Sequence, residues 1–316
     1  MDIDLEEATA CVRALFAVAK ADGRITDKEM IALTAAIEAL PASGDLQRYL
    51  TENQNIDELL AQVKSPAARE QLWQSAYAMV HADGATGGPD EKRLLDKMRT
   101  AFELEEAKVS TTTRLMDEAK DTLLPSNIEP IADPDRRQKE VGQDVLKYSV
   151  LSAVLGAFPV PGIAIATDLA IVALQVKLVR DVGQYWGHKV DKEAAKTLLG
   201  GLGLGTGARI AVSNIAKLVP VWGSAFGATS AFATTWALGK IANRYFEGGR
   251  RADLGELKKE MKAVEKEGKE VYANQKELIE SKRRETEAKL TALNEQRKSN
   301  ALSQREYEAR VAELAN

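Results

Sequence analysis

The sequence is poor in the side chains that most often build metal centres and catalytic sites. Its 316 residues include one cysteine, Cys11, and two histidines, His81 and His188. A single cysteine excludes an internal disulfide, and three such side chains are fewer than the four ligands of a structural zinc site. Any resident metal would therefore be a hard cation held by oxygen atoms, and Cys11 is expected to be a buried, inert thiol.

The chain also lacks a strong charge imbalance and the common signatures of catalysis. Its 43 basic and 47 acidic side chains give a net charge of -4, which argues against nucleic-acid binding. Neither histidine stands in a triad or in metal-ligand spacing. No G-x-x-x-x-G-K-[ST] loop occurs, and "GGLGLGTG" at 200–207 follows no predicted strand. We therefore expect a non-enzymatic protein without nucleotide or nucleic-acid ligands.

Apolar residues at helical spacing, in contrast, are abundant. In "CVRALFAVA" and "EKRLLDKMRTAF" they recur at i, i+3, i+4 and i+7, which indicates amphipathic helices. The acidic start carries no secretory signal, so a cytoplasmic location is expected. The pattern predicts an all-α fold in four parts. These are a two-repeat helical bundle (1–120), a proline-containing linker with a lead-in helix (121–145), an apolar Gly/Ala-rich helical domain (146–249) and a charged, coiled-coil-like tail (250–316).

Two stretches share an Ala-Asp-Gly turn, "ADGRITDKE" at 21–29 and "ADGATGGPDE" at 82–91. The first has the signature of a helix start, because Thr26 can cap the helix and Glu29 can reach back to it. In the second, Gly88 takes the N-cap position, Pro89 the first helical position and Glu91 the third. Both turns can therefore be explained as the boundaries between consecutive helices.

A divalent-cation site is the alternative interpretation of the same turns. Neither stretch is a complete EF-hand, because Val18 and Lys20 occupy ligand positions upstream of the first one. Two facing turns could still bring four carboxylates together around one Ca²⁺, Mg²⁺ or Mn²⁺ ion. The predicted ligands are Asp22, Glu29, Asp83 and Glu91.

A family resemblance bears on this choice. "AVAKADGRITDKEMIAL" and "AYAMVHADGATGGPDEKRLLDKM" resemble the two repeats of the TerB-like, tellurite-resistance-associated domains, over roughly residues 5–115. The resemblance implies an all-helical bundle with an acidic surface suspected of divalent-metal binding, in bacterial membrane stress systems. The second turn departs from the pattern by one extra residue and by Gly87 and Gly88. A partner protein is the alternative to a divalent cation as the ligand of this domain.

The middle of the chain is unusually apolar. From Val150 to Val176 the one charged side chain is Asp168, which should face another helix or water because a carboxylate facing lipid is costly. Pro159 and Pro161 predict a break after Ala157, since each proline removes a backbone donor and disfavours helix at the preceding residue. The result would be two helices joined by a tight bend.

A second apolar stretch is rich in small residues. Gly223 and Gly227 form a G-x-x-x-G pair, a spacing that lets helices approach closely in membranes. Trp222 and Trp236 are about four turns apart, as expected near the two ends of a short span. The alternatives are membrane insertion or peripheral burial as a hairpin, a soluble bundle buried in a homo-oligomer, and a pore- or vesicle-forming protein.

This middle part carries a second resemblance. "AFPVPGIAIATDLAIVALQVKLVRDVGQYWG" is similar to the domain of unknown function in YcjF-type inner-membrane proteins, over about 145–245. The resemblance implies membrane association and names no reaction. We therefore expect a homo-oligomeric scaffold or stress-response protein at the cytoplasmic face of a bacterial inner membrane, in contact with its lipids.

The charged tail predicts further helices. Leu257, Met261 and Val264 follow a 3–4 spacing, although Gly268 falls where that pattern calls for an apolar residue. Ser303 and Glu306 form a second capping box, and the end of the chain resembles a short oligomerisation motif of bacterial envelope proteins. A solvated helical hairpin is the equally simple alternative.

Overall fold

Twelve helices and no strand occur in the part of the chain that the computed structural model describes. That part comprises residues 4–21, 23, 25, 30, 33, 55–81, 87–157, 164–202 and 222–315, with side chains from 227 onward in the last range. The predicted all-α fold is confirmed. In chain order the helices are α1 (Leu5–Ala19), α2 (Ile56–Gln62), α3 (Pro66–His81), α4 (Pro89–Ala101), α5 (Glu106–Asp121), α6 (Pro134–Gly156), α7 (Ala164–Tyr185), α8 (Lys192–Gly201), α9 (Trp222–Glu247), α10 (Leu254–Asn274), α11 (Lys276–Lys298) and α12 (Gln304–Glu313).

The described residues form two compact units. The first contains the chain up to Asp117, together with residues 164–168 and 227. The second contains residues 118–157, 169–202 and 228–315. Each unit has its own set of packed helices, so each is described separately.

The core of the first unit forms around α1. Cys11, Leu15 and Val18 lie on one face of this helix, at i, i+4 and i+7, and all three are fully buried. Helix α1 packs against α2, α3 and α4, which contribute apolar side chains such as Leu72 and Met98. The periodicity of the sequence thus sets which face of α1 is buried.

A buried carboxylate fixes the chain between α2 and α3. Glu7 is largely buried on α1, and its Oε1 accepts hydrogen bonds from the backbone N–H groups of Lys64 at 2.8 Å and Ser65 at 2.7 Å. These two donors immediately precede α3, which has its own N-cap, because the Ser65 hydroxyl accepts from the N–H of Ala68 at 3.1 Å. Glu7 therefore satisfies, from another helix, backbone donors that the local cap does not reach.

Replacing Glu7 by alanine should destabilise the first unit. Two charge-assisted hydrogen bonds would be lost and two backbone donors left without their acceptor, so we expect a cost of about 2–3 kcal/mol in the free energy of unfolding. Urea denaturation followed by circular dichroism would measure it. The exposed neighbour Glu6 provides the matched control, and a Glu7→Ala cost no larger than that of Glu6→Ala would contradict the assignment.

The second unit is built on α6, α7 and α9. Helix α6 ends at Gly156 with Ala157 as its C-cap, at the position where the sequence predicts a break before Pro159. Helices α6 and α9 come very close, because a Cβ atom on Gly239 of α9 would lie 2.4 Å from a methyl carbon of Val145. Helix α11 packs against α6 and α12, and α10 packs against α8 and α11.

The apolar stripe of α10 is buried inside the second unit. Leu257, Met261 and Val264 are buried, and Gly268 lies against the backbone of α9, where its added Cβ would be 2.9 Å from the Cα of Ala233. The glycine that interrupts the apolar pattern is therefore the point of closest approach between α9 and α10. The predicted coiled-coil-like face is used within this chain.

Two further sequence predictions concern the ends of the chain's helices and its apolar middle. The capping box at α12 is confirmed, since the Ser303 hydroxyl accepts from the N–H of Glu306 and the Glu306 carboxylate accepts from the N–H of Ser303. Of the helices described above, none is both long and apolar enough to cross a membrane.

Candidate functional site

Of the four predicted cation ligands, one lies within the described residues. Asp22, Glu29 and Asp83 lie outside the described residues, and Glu91 lies on the first turn of α4. Glu91 Oε2 accepts a hydrogen bond from the backbone N–H of Gly88 at 2.6 Å, which leaves Oε1 for any cation. Within the described ranges, no group of three His, Cys, Asp or Glu side chains is placed to hold a metal ion.

The helix-boundary interpretation is confirmed where the turns are described. Gly88 is the N-cap of α4, Pro89 begins the helix and Glu91 reaches back to the cap. In the first turn Gly23 has φ +81°, the left-handed conformation that favours glycine after a helix end. Glu91 thus has a structural role that is independent of any bound ion.

The residues singled out in the apolar middle are partly described. Pro159 and Pro161 lie outside the described residues. Trp222 and Gly223 belong to α9, but their surroundings lie outside the described part. Asp168 on α7 and Gly227 on α9 are buried. Trp236 is half-buried, stacks on Phe232 with ring centroids 6.2 Å apart, and has the ammonium group of Lys240 5.3 Å from its ring centroid.

Sequence reasoning missed a polar cluster of the second unit that centres on Asp181. This aspartate lies on α7 and is 1% exposed. Its carboxylate accepts hydrogen bonds from Tyr148 Oη at 3.1 Å, from Lys177 Nζ at 2.8 Å and from the Ser126 hydroxyl. Because these donors come from α6, α7 and the linker, one carboxylate joins three segments.

A second carboxylate lies on α6. Asp144 accepts a hydrogen bond from Tyr185 Oη at 3.0 Å and forms an ion pair with Lys147 at 3.0 Å. Burial, together with the neighbouring carboxylates, raises the pKa of the Tyr185 phenol and that of Tyr148 far above the ordinary value. Both phenols therefore stay neutral and donate hydrogen bonds at physiological pH.

Side chains of helix α7 also hold the linker, residues 122–133, through backbone groups of the linker. Gln184 Oε1 accepts from the N–H of Ile128 at 3.0 Å and from the Ser126 hydroxyl at 3.1 Å. The Arg180 guanidinium donates to the carbonyl oxygens of Leu124 at 2.6 Å and Val190 at 3.1 Å. The contacts to Leu124 and Ile128 satisfy backbone groups that the prolines and irregular conformation of the linker leave without helical partners.

An open depression lies beside the hydrogen-bonded pair of Asp144 and Tyr185. Its volume is about 550 Å³, and residues 127–133 of the linker form most of its lining with Arg136, Glu140 and Tyr185. The Asp181 cluster engages its carboxylate with three donors, which is the arrangement of a structural anchor. The cluster therefore fixes the linker to α6 and α7.

The one cysteine and the two histidines have structural positions. Cys11 is buried as predicted, and burial, aided by the Glu7 carboxylate, raises its thiol pKa well above the ordinary value. His81 Nδ1 lies 3.1 Å from the carbonyl oxygen of Tyr77, and the two rings stack with centroids 4.1 Å apart. His188 packs against Phe246 with ring centroids 5.6 Å apart.

The N-terminal part of the chain matches a known family. Residues 3–116 match the family described as protein of unknown function DUF533, so the chain carries a DUF533 domain, and this family is related to the TerB-like domains. The uncharacterized protein sll0481 of Synechocystis sp. is 25% identical over 119 residues, which make up 36% of this chain and 77% of that protein. No solved structure matches the chain. The YcjF-type resemblance of 145–245 stays a prediction.

Proposed function

We propose that this protein is a non-enzymatic bacterial scaffold, carrying a DUF533 domain, that oligomerises and associates with the cytoplasmic face of the inner membrane through its second unit. The observation that carries the proposal is the packing of α9 through small residues. Gly239 lies against Val145 of α6, and Ala233 lies against Gly268 of α10, in both cases closer than a larger residue would allow. Packing at this distance is a means of helix association that does not depend on water.

The charge distribution around α9 supports the same proposal. Helix α9 begins in a stretch whose charges, from Leu198 to Gly239, are Arg209 and Lys217 alone. At its other end Lys240 is exposed beside Trp236, and Arg244 pairs with Glu260 at 2.6 Å. Aromatic and basic side chains at the end of an apolar helix suit the headgroup region of a bilayer.

A soluble homo-oligomer is the second candidate, and one observation favours it. In the described part of the chain, the large apolar side chains that are clearly exposed are scattered singly, at Leu5, Leu123 and Leu278. Isolated apolar residues are ordinary on soluble proteins and need no membrane. In this alternative α9 and its neighbours are covered by the chain itself or by its copies.

Fractionation of cells that produce the full chain separates the two candidates. We expect the protein in the membrane pellet at physiological salt and its release by alkaline carbonate, as for a protein held at the membrane surface. Recovery of the whole protein in the soluble fraction, as an oligomer of defined mass, would establish the second candidate. Retention after carbonate would instead indicate insertion, as in the pore- or vesicle-forming alternative.

Divalent-cation binding by the DUF533 domain is a separate proposal with its own test. Calorimetric titration of the full chain with Ca²⁺ and with Mn²⁺ should give binding heat, and Asp22→Ala combined with Asp83→Ala should abolish it. Glu91→Gln should reduce the affinity while keeping the cap, because a glutamine oxygen can still accept from Gly88. Absence of heat in the unmodified protein would remove the site, and unchanged heat in the double variant would place it elsewhere.

A further inference from the structure

Helix α10 has a basic face that no internal contact explains. Four of its lysines recur with a 3–4–3 spacing and are all exposed, and no described residue forms an ion pair with any of them. We call this set the lysine face. Its members are Lys259, Lys262, Lys266 and Lys269.

The lysine face points away from the unit. Successive residues of a helix are about 100° apart, so the four lysines fall within an arc of about 80°. The centre of that arc is about 150° from the centre of the buried stripe of Leu257, Met261, Val264 and Gly268. Since the buried stripe packs on α9, the lysines stand on the opposite, outer side of α10.

Most glutamates of α10 lie off the lysine face. Glu256, Glu260, Glu267 and Glu270 cluster about 100° from its centre, and Glu265 borders its other side. Two of these glutamates stand at i, i+4 from a lysine of the face, Glu265 before Lys269 and Glu270 after Lys266, but no glutamate lies within the arc of the lysines. Here the four lysines form a single-sign row about 15 Å long.

From these observations, we infer that the lysine face of α10 binds the anionic headgroups of a phospholipid surface. A group of four or more lysines or arginines on an amphipathic helix is the pattern that attracts anionic lipids. The row consists of lysines alone, which act as point charges, whereas bidentate recognition of nucleic-acid phosphates and bases favours arginine. The inference rests on the proposed function, because it names the surface by which the second unit would meet the membrane.

Vesicle binding by the full chain tests the inference. The probes are vesicles of phosphatidylcholine with phosphatidylglycerol and vesicles of phosphatidylcholine alone, with sedimentation as the readout. The test variant carries Lys259→Gln, Lys262→Gln, Lys266→Gln and Lys269→Gln. The control variant makes the same change of charge on four exposed basic residues of α11, with Lys276→Gln, Arg284→Gln, Lys289→Gln and Lys298→Gln.

We expect the unmodified protein to prefer the anionic vesicles. Each lysine near an anionic surface contributes about a fivefold factor in affinity. The test variant should therefore bind the anionic vesicles at least tenfold more weakly than the unmodified protein, and the control variant should lose clearly less affinity. Raising the salt concentration from about 0.1 M to about 1 M should release the unmodified protein from the vesicles, because the Debye screening length shortens from about 10 Å to about 3 Å. Circular dichroism of both variants checks that the helices remain folded.

Four other outcomes would overturn the inference in distinguishable ways. Equal loss of vesicle binding in the test and control variants would show a general charge effect. Equal binding to both vesicle types would show apolar association with the bilayer. Either result would leave the proposed function standing. Lysine-dependent binding of duplex DNA without vesicle binding would reassign the face to nucleic acid. A protein that binds neither vesicle type would contradict the inference and the membrane role together.

Discussion

Replacing Asp181 by alanine is expected to lower the free energy of unfolding of the second unit by about 3–5 kcal/mol, the cost of leaving a buried charge without its partner. Lys177 Nζ would lose a carboxylate at 2.8 Å, and the Tyr148 hydroxyl would lose its acceptor at 3.1 Å. The lysine side chain is 16% exposed, so water compensates its charge poorly. The loss is measured by urea denaturation followed by circular dichroism.

A matched control separates the cluster from the general effect of removing an aspartate. Asp191 is exposed and caps α8 by accepting from the N–H of Ala194 at 2.7 Å, so Asp191→Ala should cost about 1 kcal/mol. Adding Lys177→Met to Asp181→Ala removes the stranded charge and should recover part of the loss. A cost for Asp181→Ala no larger than that for Asp191→Ala would contradict the anchoring role of the cluster.

The second large effect concerns Glu308, whose carboxyl group is 1% exposed on α12. Burial raises its pKa from the ordinary 4.5 to about 7, although Gln304, Thr122 and the Lys192 cation oppose the shift. The carboxyl group accepts a hydrogen bond from Gln304 Nε2 at 2.8 Å, and Glu118 adds a like charge. The folded protein therefore binds a proton that the unfolded chain releases between pH 4.5 and about 7.

The sign of the pH dependence follows from this difference. The stability due to protonated Glu308 is fully present below pH 4.5 and is lost as the pH rises through about 7. The shift corresponds to about 3 kcal/mol, so Glu308→Gln, which cannot ionise, should be more stable than the unmodified protein at pH 8 by up to that amount. Near pH 4.5 the two proteins should differ little.

Urea denaturation at a series of pH values, from about 4.5 to about 8, measures this effect. Glu313 lies at the exposed end of the same helix, so Glu313→Gln should keep the pH profile of the unmodified protein. If Glu308→Gln also keeps that profile, Glu308 does not ionise in the folded protein over this range. Such a result would remove the pH dependence assigned to it.

Local sequence patterns were sufficient for the helices and several of their boundaries. The apolar spacing of Cys11, Leu15 and Val18 marks the buried face of α1, and Gly88 with Glu91 marks the start of α4. These features depend on residues within one or two turns of each other, where backbone geometry and capping chemistry decide the outcome. The same kind of local signal placed the end of α6 before Pro159.

The Asp181 cluster could not be predicted in this way. Ser126 and Tyr148 precede Asp181 by 55 and 33 positions, and the three meet through the packing of α6, α7 and the linker. The single local signal was Lys177, four residues before Asp181, and such i, i+4 pairs are common on solvated helices. Burial, which the sequence does not specify directly, is what turns this pair into an anchor.

The sequence by itself therefore determined an all-α chain, its capped turns and the contrast between an apolar middle and a charged tail. The tertiary structure decided which distant polar groups meet, for example the carboxylate of Glu118 and the N–H of Gln304, 186 positions apart, at 2.5 Å. It also decided that Gly268 is a point of contact with α9, although the apolar pattern treats it as an interruption. The physical reason is that helix periodicity and capping act over a few residues, whereas desolvation and close approach depend on which helices pack together.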